Sequence, residues 1–131
     1  MCGITGIFNL DGAPVSPVIL RRMTDAVAHR GPDGEGFYTD SFLGFGHRRL
    51  AIIDLSNAGH QPMMTSNGQF VIVYNGEIYN FQELRLELES RGHQFRSRTD
   101  SEVALYAYAE WGPQAVERFN GMFAFAIWDK T

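Results

Sequence analysis

The chain carries a single cysteine, and it stands at position 2, directly after the initiator methionine. A free cysteine that begins an apolar stretch such as "GITGIFNL" is commonly a small buried hydrophobic residue. The position also permits nucleophilic chemistry. Removal of Met1, which is usual before a small side chain, would make Cys2 the first residue and give it a free α-amine. Such an amine is a base near neutral pH, so one residue would hold both the nucleophile and the group that activates it.

Asn75 and Gly76 follow a strongly apolar segment in "VIVYNGEIYN". Asn-Gly after a strand is typical of a hairpin turn. Here no second strand follows within two residues, because a helix is predicted from about Asn80. An Asn side-chain amide and a Gly backbone N–H are also the donor types of an oxyanion hole, the site that stabilises a tetrahedral intermediate. The local sequence leaves both interpretations open.

Two segments carry charged residues that could bind a zwitterionic substrate. Adjacent arginines, Arg48 and Arg49, lie in the predicted strand "GHRRLAIIDL". Successive strand residues point to opposite faces, so one arginine can face solvent and the other a site, where a guanidinium suits a carboxylate. Asp100 begins the helix predicted in "RTDSEV". An Asp there commonly caps the helix, and the same carboxylate could bind a substrate ammonium.

Other cofactor and partner classes are not indicated. The four histidines show no metal-ligand spacing, "HRGPDGEG" is not a dinucleotide fingerprint, and no phosphate-binding loop occurs. We therefore predict no metal and no cofactor on this chain. A net charge of −4 argues against a nucleic-acid partner. No apolar run approaches the roughly 20 residues of a membrane span, and no secretory signal is evident. One cysteine forms no internal disulfide, and we predict a cytoplasmic protein.

The elements that must position these residues read as one α+β domain of 131 residues in the order β-α-β-β-β-α-β-α-α-β. A helix over "SPVILRRMTDAVAH" begins with a Ser16 cap. A second helix, over "NFQELRLELESRG", has the capping-box spacing of Asn80 and Glu83 and ends at Gly92. Further helices are predicted in "TDSEVALYAYAEWG" and "PQAVERF", a loop at 56–68 and a short strand at 94–97.

The last predicted strand, "GMFAFAIWD", is apolar on both faces, and we expect it to be buried on both. The chain stops two residues later. We therefore predict that the 131 residues are part of a larger domain, truncated at the C-terminus. An exposed edge beside this strand would favour pairing, so we expect a homodimer or a poorly soluble monomer.

Seven blocks, in order and over essentially the whole chain, resemble the N-terminal glutaminase domain of glutamine-hydrolysing asparagine synthetases, which are class II glutamine amidotransferases. The blocks are "MCGITGIF", "HRGPDGEG", "GHRRLAIIDL", "NAGHQPM", "YNGEIYNFQELR", "RTDSEV" and "GMFAFAIWD". The resemblance implies an N-terminal nucleophile hydrolase fold, a four-layer α-β-β-α sandwich of antiparallel sheets. Residues 1–131 are then the N-terminal part of a type 2 glutamine amidotransferase domain, without its synthetase domain.

The resemblance also implies roles for matching residues. Cys2 is the nucleophile, with its own amine as base, and Asn75 and Gly76 form the oxyanion hole. Arg49 binds the α-carboxylate of L-glutamine, while Glu77 and Asp100 surround its α-ammonium group. The backbone that follows Arg49 lines the same pocket through Leu50, Ala51, Ile52 and Ile53. The "HRGPD" loop is implied to be a structural wall beside the site.

The reaction implied is hydrolysis of the glutamine amide through a thioester, with ammonia passed to aspartate. No Ser-Gly-Gly-x-Asp pyrophosphatase loop occurs in the chain, so ATP and Mg²⁺ are expected only in the missing synthetase domain. Two alternatives stay open from the sequence. One is the glutaminase domain of another class II amidotransferase with a different ammonia acceptor. The other is a catalytically silent binding module, truncated or with Met1 retained.

Overall fold

Two three-stranded antiparallel sheets form the centre of the molecule in a computed structural model that describes residues 1–131. The first sheet has the order β1-β3-β2 and the second β4-β5-β6. The strands are β1 (Gly3–Phe8), β2 (Gly34–Asp40), β3 (Leu43–Arg49), β4 (Met63–Met64), β5 (Phe70–Ile78) and β6 (Gly121–Asp129). The α-helices are α1 (Pro17–Ala26), α2 (Phe81–Ser90) and α3 (Asp100–Trp111), and short 3₁₀ turns cover Ala28–Arg30, Asn57–Gly59 and Gly112–Arg118.

Alternation along β3 explains how α1 covers the first sheet. Gly44 and Gly46 present no side chain to α1, and a Cβ on Gly44 would lie 3.1 Å from Leu20 Cδ2 of that helix. The helix therefore packs closely on bare backbone. The alternate residues Leu43 and Phe45 point to the other side of the sheet. There they pack against β5 in one buried cluster, so the two sheets lie face to face.

The other face of β5 packs against the remaining helices. Ile72 and Ile78 share a second buried cluster with Leu84 and Leu88 of α2 and with α3. The order of layers is thus α1, first sheet, second sheet, and α2 with α3. The predicted α+β sandwich of four layers is confirmed. No helix of the chain has the length and apolar character that crossing a bilayer requires.

Two predicted elements differ from the structure. The strand predicted at 94–97 is wrong, because the carboxylate of Glu102 accepts hydrogen bonds from the backbone N–H of Arg96 and of Ser97 and so replaces a strand partner. Within the loop predicted at 56–68, Met63–Met64 pairs with β5 as a two-residue strand. In both places a group outside the segment satisfies its backbone, and the residues of the segment itself do not reveal that partner.

The predicted strand "LGFGHRRLAIIDL" ends at Arg49 and not at Leu55. Beyond it the backbone binds side chains. Ala51 N–H donates to Asp33 Oδ2 (2.9 Å), and Ser56 N–H donates to Asp54 Oδ1 (2.8 Å). The apolar residues of this segment that suggested a strand remain exposed to solvent.

The predicted helix ends are confirmed in part. Ser16 Oγ accepts the N–H of Ile19 at 3.3 Å, as a cap should, and Gly92 follows Arg91, the C-cap residue of α2, with φ +97°. The capping box of Asn80 is wrong. Its side chain accepts from Asn120 N–H (2.9 Å) and donates to a backbone carbonyl near the end of the last 3₁₀ turn, tying α2 to β6.

The strand β6 is less buried than its apolar sequence predicts. Both faces do contact the core, with Phe123, Phe125 and Ile127 toward the helices and Trp128 toward the first sheet. No residue of the strand is fully buried, however, and Met122 is 60 % exposed. The reason is that β6 is the edge strand of its sheet and pairs only with β5.

Candidate active site

A cavity of about 130 Å³ opens beside Cys2. Four segments supply most of its lining: the N-terminus, residues 49–54, the second half of β5 and the beginning of α3. All ten residues predicted for the site from the sequence line this one cavity: Cys2, Arg49, Leu50, Ala51, Ile52, Ile53, Asn75, Gly76, Glu77 and Asp100. The fold therefore brings together residues that are up to 98 positions apart. Their individual roles remain predictions.

Cys2 is held at the beginning of β1. Its Sγ accepts the backbone N–H of Leu50 at 3.3 Å, and its carbonyl accepts from Arg30 Nε at 3.1 Å. Arg30 belongs to the "HRGPD" loop, and Asp33 of the same loop holds Ala51, so this loop braces two walls of the cavity. Met1 also lines the cavity. While Met1 is attached, the nitrogen of Cys2 is a peptide amide and not a base.

Hydrogen-bond alternation along β5 explains why Gly76 has a free donor. On the edge that faces away from β6, Tyr74 N–H donates to Gln61 Oε1 (2.7 Å) and Ile78 N–H donates to Asp100 Oδ2 (2.9 Å). Gly76 lies between them on the same edge. Its N–H has no protein acceptor among the turn, loop and side-chain hydrogen bonds. It is therefore available to a ligand in the cavity.

The residue before Gly76 adds a second unused donor. Asn75 Nδ2 makes no hydrogen bond within the protein and is not sealed from the cavity, whereas Asn75 Oδ1 is buried without a partner. Two donors on adjacent residues that face a cavity are the arrangement that stabilises a developing oxyanion. The hairpin-turn alternative for Asn75-Gly76 is wrong, because β5 continues through both residues to Ile78.

The two adjacent arginines point to opposite faces of the first sheet, as predicted. Arg48 turns toward α1 and forms ion pairs with Asp25 and with Glu35 (3.0 Å to the latter). Arg49 turns into the cavity wall, where its guanidinium donates to the backbone carbonyls of Asp54 and Ser56 (2.7 Å to the latter). Arg49 has no carboxylate partner, so its charge is available to an anion.

Two carboxylates lie on other segments of the wall. Asp100 is buried at the first turn of α3, and its Oδ2 accepts from Tyr74 Oη at 2.7 Å as well as from Ile78 N–H. Glu77 is exposed at the rim and forms no ion pair. With Asp54, which lies on the same segment as Arg49 and binds backbone N–H groups, the cavity carries one unpaired cation and three carboxylates. Such a distribution is complementary to a small zwitterion.

Burial and hydrogen bonds shift three pKa values near the cavity. Burial raises the pKa of Tyr74 well above its usual value, and the neighbouring Asp100 adds to this, so the hydroxyl stays a donor. Hydrogen bonds from Ser56 and from the backbone N–H of Arg98 lower the pKa of Asp54 to about 2, so it stays ionised. Burial lowers the pKa of His47 to about 4, so its ring is neutral at pH 7.

Several lining residues were not anticipated from the sequence: Gln61, Tyr74, Thr99, Ser101 and Met122. Gln61 stands in the block "NAGHQPM", which carried the family resemblance without any assigned role. Tyr74 directly precedes Asn75. Their place in blocks that carry the family resemblance was thus the only feature of the sequence that pointed to Gln61 or Tyr74. No group of three His, Cys, Asp or Glu side chains is arranged to hold a metal ion. That the chain needs no cofactor stays a prediction.

Replacing His47 by glutamine should reduce the acid sensitivity of the fold. His47 is fully buried between the sheets, and its Nε2 donates to the carbonyl of Tyr74 at 3.1 Å. Because its pKa is lower in the folded than in the unfolded chain, the unfolded chain binds the extra proton first, and stability is lost as pH falls from about 6.5 toward about 4. Between pH 7.5 and pH 5 this loss is about 2 kcal/mol in the free energy of unfolding.

Urea unfolding at the two pH values measures this effect. His47→Gln keeps a side-chain donor for Tyr74 but does not titrate, so its pH-dependent loss should be smaller than that of the wild type by the stated amount. His29, which is exposed, provides the control substitution His29→Gln. Equal losses in His47→Gln and wild type would contradict the assignment.

The sequence of the chain matches a known protein family and several characterised proteins. The family described as "Glutamine amidotransferase domain" matches residues 1–131. Asparagine synthetase [glutamine-hydrolyzing] 1 of Bacillus subtilis is 43% identical over 134 residues, covering 100% of this chain and 21% of that protein. Asparagine synthetase B [glutamine-hydrolyzing] of Escherichia coli is 41% identical over 133 residues, covering 98% of this chain and 23% of that protein. The chain therefore spans about a fifth of the length of these relatives.

Among solved structures, the fold is similar to that of the glutamine phosphoribosylpyrophosphate amidotransferase from B. subtilis. The TM-score is 0.79 at 20% sequence identity, and the match covers 98% of this chain and 35% of the other. At this identity the likeness concerns the fold alone. It agrees with the sandwich described above.

Proposed function

The chain belongs to the glutamine amidotransferase domain family, and from this premise we propose that it is the glutaminase half of a glutamine-hydrolysing asparagine synthetase. The observation that carries the proposal is the single cavity in which the only cysteine, an unpaired arginine, three carboxylates and two unused donors meet. Identities of 41% and 43% to asparagine synthetases over nearly the whole chain support the choice within the family.

Glutamine fits the charges of the cavity. In this proposal its α-carboxylate binds the guanidinium of Arg49, which has no other anionic partner. Its α-ammonium binds Asp100, with Glu77 at the rim. The backbone from Leu50 to Ile53 closes the side of the pocket. Both charged ends of the substrate must be matched, because a buried charge left without its partner is strongly destabilising.

Hydrolysis then takes place in two steps. After removal of Met1, the α-amine of Cys2 takes the thiol proton and Sγ attacks the carboxamide carbon. Asn75 Nδ2 and Gly76 N–H hold the resulting oxyanion. When the tetrahedral intermediate collapses, the carbon–nitrogen bond breaks, the proton passes from the amine to the leaving nitrogen, and ammonia departs, which leaves a thioester on Cys2. Water, deprotonated by the same amine, attacks the thioester, and glutamate leaves as the thiol is re-formed.

The fate of the ammonia belongs to the same proposal. We place transfer to aspartate, with ATP and Mg²⁺, in a synthetase domain outside these 131 residues, as the resemblance to asparagine synthetases implies. The absence of a metal or cofactor on this chain, the cytoplasmic location and the homodimer stay predictions.

Product analysis tests the proposal. The chain with Cys2 at its N-terminus should convert glutamine into glutamate and ammonia in equal amounts. Glutamine binding without turnover would instead support the silent binding module. Glutaminase activity whose ammonia a synthetase domain does not transfer to aspartate would support a different ammonia acceptor.

Replacing Arg49 by glutamine should raise the KM for glutamine by about 100-fold, because the substrate carboxylate then loses its only cationic partner. Steady-state hydrolysis assays measure the effect. Arg48→Gln is a matched control, since Arg48 is the adjacent residue on the same strand but faces Asp25 and Glu35. Its KM should stay within about threefold of the wild type, as expected for a partly exposed ion pair outside the cavity. A similar rise in both variants would rule out Arg49 as the carboxylate site.

A further inference from the structure

Tyr74 connects the middle of β5 to the first residue of α3. Its hydroxyl donates to Asp100 Oδ2 at 2.7 Å, and the two residues are only 3% and 5% exposed. The hydrogen bond therefore joins a neutral donor to a carboxylate inside the protein. Bonds of this kind are shorter and stronger than those between neutral groups, and they are little screened by water.

The two oxygens of Asp100 are used unequally. Oδ2 accepts from Tyr74 and from Ile78 N–H (2.9 Å), whereas Oδ1 accepts no hydrogen bond and is not among the buried unpartnered atoms. One carboxylate oxygen thus remains open on the cavity side. The other is held on both sides by β5.

Glu102, in the same first turn of α3, shows the opposite arrangement. Its Oε1 accepts from Arg96 N–H (3.0 Å), and its Oε2 accepts from both the N–H and the hydroxyl of Ser97 (2.7 and 2.6 Å). Both of its oxygens serve the preceding loop. Of the two buried carboxylates at this helix end, only Asp100 has an oxygen left for a ligand.

Tyr74 is itself fixed in place. Its N–H donates to Gln61 Oε1 (2.7 Å) and its carbonyl accepts from His47 Nε2 (3.1 Å). Its ring stacks on Phe125 with centroids 6.4 Å apart. Since burial also keeps its hydroxyl protonated, Tyr74 is a donor of constant position and charge.

We propose that Tyr74 is a positioning residue that sets specificity for the substrate's α-ammonium group: its hydroxyl occupies Oδ2 of Asp100 and thereby directs Oδ1 into the cavity. This inference rests on the proposed function, because it assumes that Asp100 binds the α-ammonium of glutamine. Tyr74 does not touch the substrate in this arrangement. Without its hydroxyl, Asp100 keeps only Ile78 N–H as a partner and is free to rotate away from the ammonium.

The substitution Tyr74→Phe removes only the hydroxyl oxygen. Hydrolysis is measured for glutamine and for 4-carbamoylbutanoate, which is glutamine without its α-ammonium group. For glutamine we expect KM to rise about tenfold while kcat changes less than about threefold. For 4-carbamoylbutanoate neither constant should change. The preference for glutamine should therefore fall about tenfold.

Tyr106→Phe is the matched control. Tyr106 is also a buried tyrosine, and its hydroxyl accepts from Ser66 N–H at 3.2 Å, outside the cavity. Its KM values for the two substrates should equal those of the wild type. The proposal would be overturned if Tyr74→Phe left the glutamine KM unchanged, or if it raised the KM for both substrates equally. Either result would show that the effect of Tyr74 does not depend on the ammonium group.

Two further measurements separate this inference from the proposed function. Calorimetric titration of glutamine into Cys2→Ala and into Cys2→Ala with Tyr74→Phe tests Tyr74 without turnover: about tenfold weaker binding supports the inference, and equal binding overturns it. A wild-type chain without glutaminase activity would count against the proposed function alone. If Tyr74→Phe does not fold, Asp100→Asn should raise the glutamine KM and leave that for 4-carbamoylbutanoate unchanged; a rise for both overturns the inference.

Discussion

Replacing Cys2 by alanine should reduce glutamine hydrolysis by at least about 10⁴-fold, to the background of the assay. The physical reason is that the thioester has no other possible origin. Cys2 is the only cysteine in the chain, and its Sγ already lies in the cavity wall, 3.3 Å from the N–H of Leu50. Ammonia release with purified wild type and variant chains is the direct measurement.

Binding and labelling provide the controls for this result. Glutamine should still bind Cys2→Ala, because Arg49 and Asp100 carry the charge contacts. A glutamine-like diazoketone should add one adduct to the wild-type chain by intact mass and none to Cys2→Ala. Hydrolysis by Cys2→Ala at the wild-type rate, or an adduct that survives the substitution, would exclude the mechanism.

Retention of Met1 should be nearly as damaging, with an expected loss of about 10²–10⁴-fold in kcat, the range attributed to a positioned general base. With Met1 attached, the nitrogen of Cys2 is an amide and accepts no proton, and Met1 itself lines the cavity. The thiol would keep its position but lose its base.

A fusion that is cut immediately before Cys2 by a site-specific protease allows a matched comparison. Three samples are assayed: the uncut fusion, the chain released with Cys2 as its first residue, and a chain released from a second fusion with one extra glycine before Cys2. Activity should appear only in the second sample, with N-terminal sequencing beginning at Cys2. Full activity in the glycine-extended chain would show that another group is the base.

Much of the fold could be predicted from local patterns. The apolar runs of β1 and β5, the Ser16 cap and the terminal glycine of α2 each depend on neighbouring residues in the chain, and the structure has them where expected. Two of the errors share one cause. The strand predicted at 94–97 and the capping box of Asn80 failed because groups outside each segment, the Glu102 carboxylate and the Asn120 N–H, took the hydrogen bonds.

The candidate site shows the same division. The residue types of the site, and their place in seven ordered blocks, were visible in the sequence. Local reasoning alone did not choose between Cys2 as a buried thiol and Cys2 as a nucleophile. It also did not decide which of Arg48 and Arg49 faces the cavity. The fold decides the second question, because Arg48 meets two carboxylates beside α1 and Arg49 meets none.

The sequence by itself thus determined the elements, the family resemblance and the chemical inventory of the site, since these depend on residue identity and short-range spacing. Only the tertiary structure decided which polar atoms are left unused. On one edge of β5, the N–H groups of Tyr74 and Ile78 are bound by Gln61 and Asp100 from distant parts of the chain. Gly76 N–H, Asn75 Nδ2 and Asp100 Oδ1 keep no partner within the protein. Whether a donor or acceptor is available depends on every group around it, and those groups meet only when the sheets and helices pack.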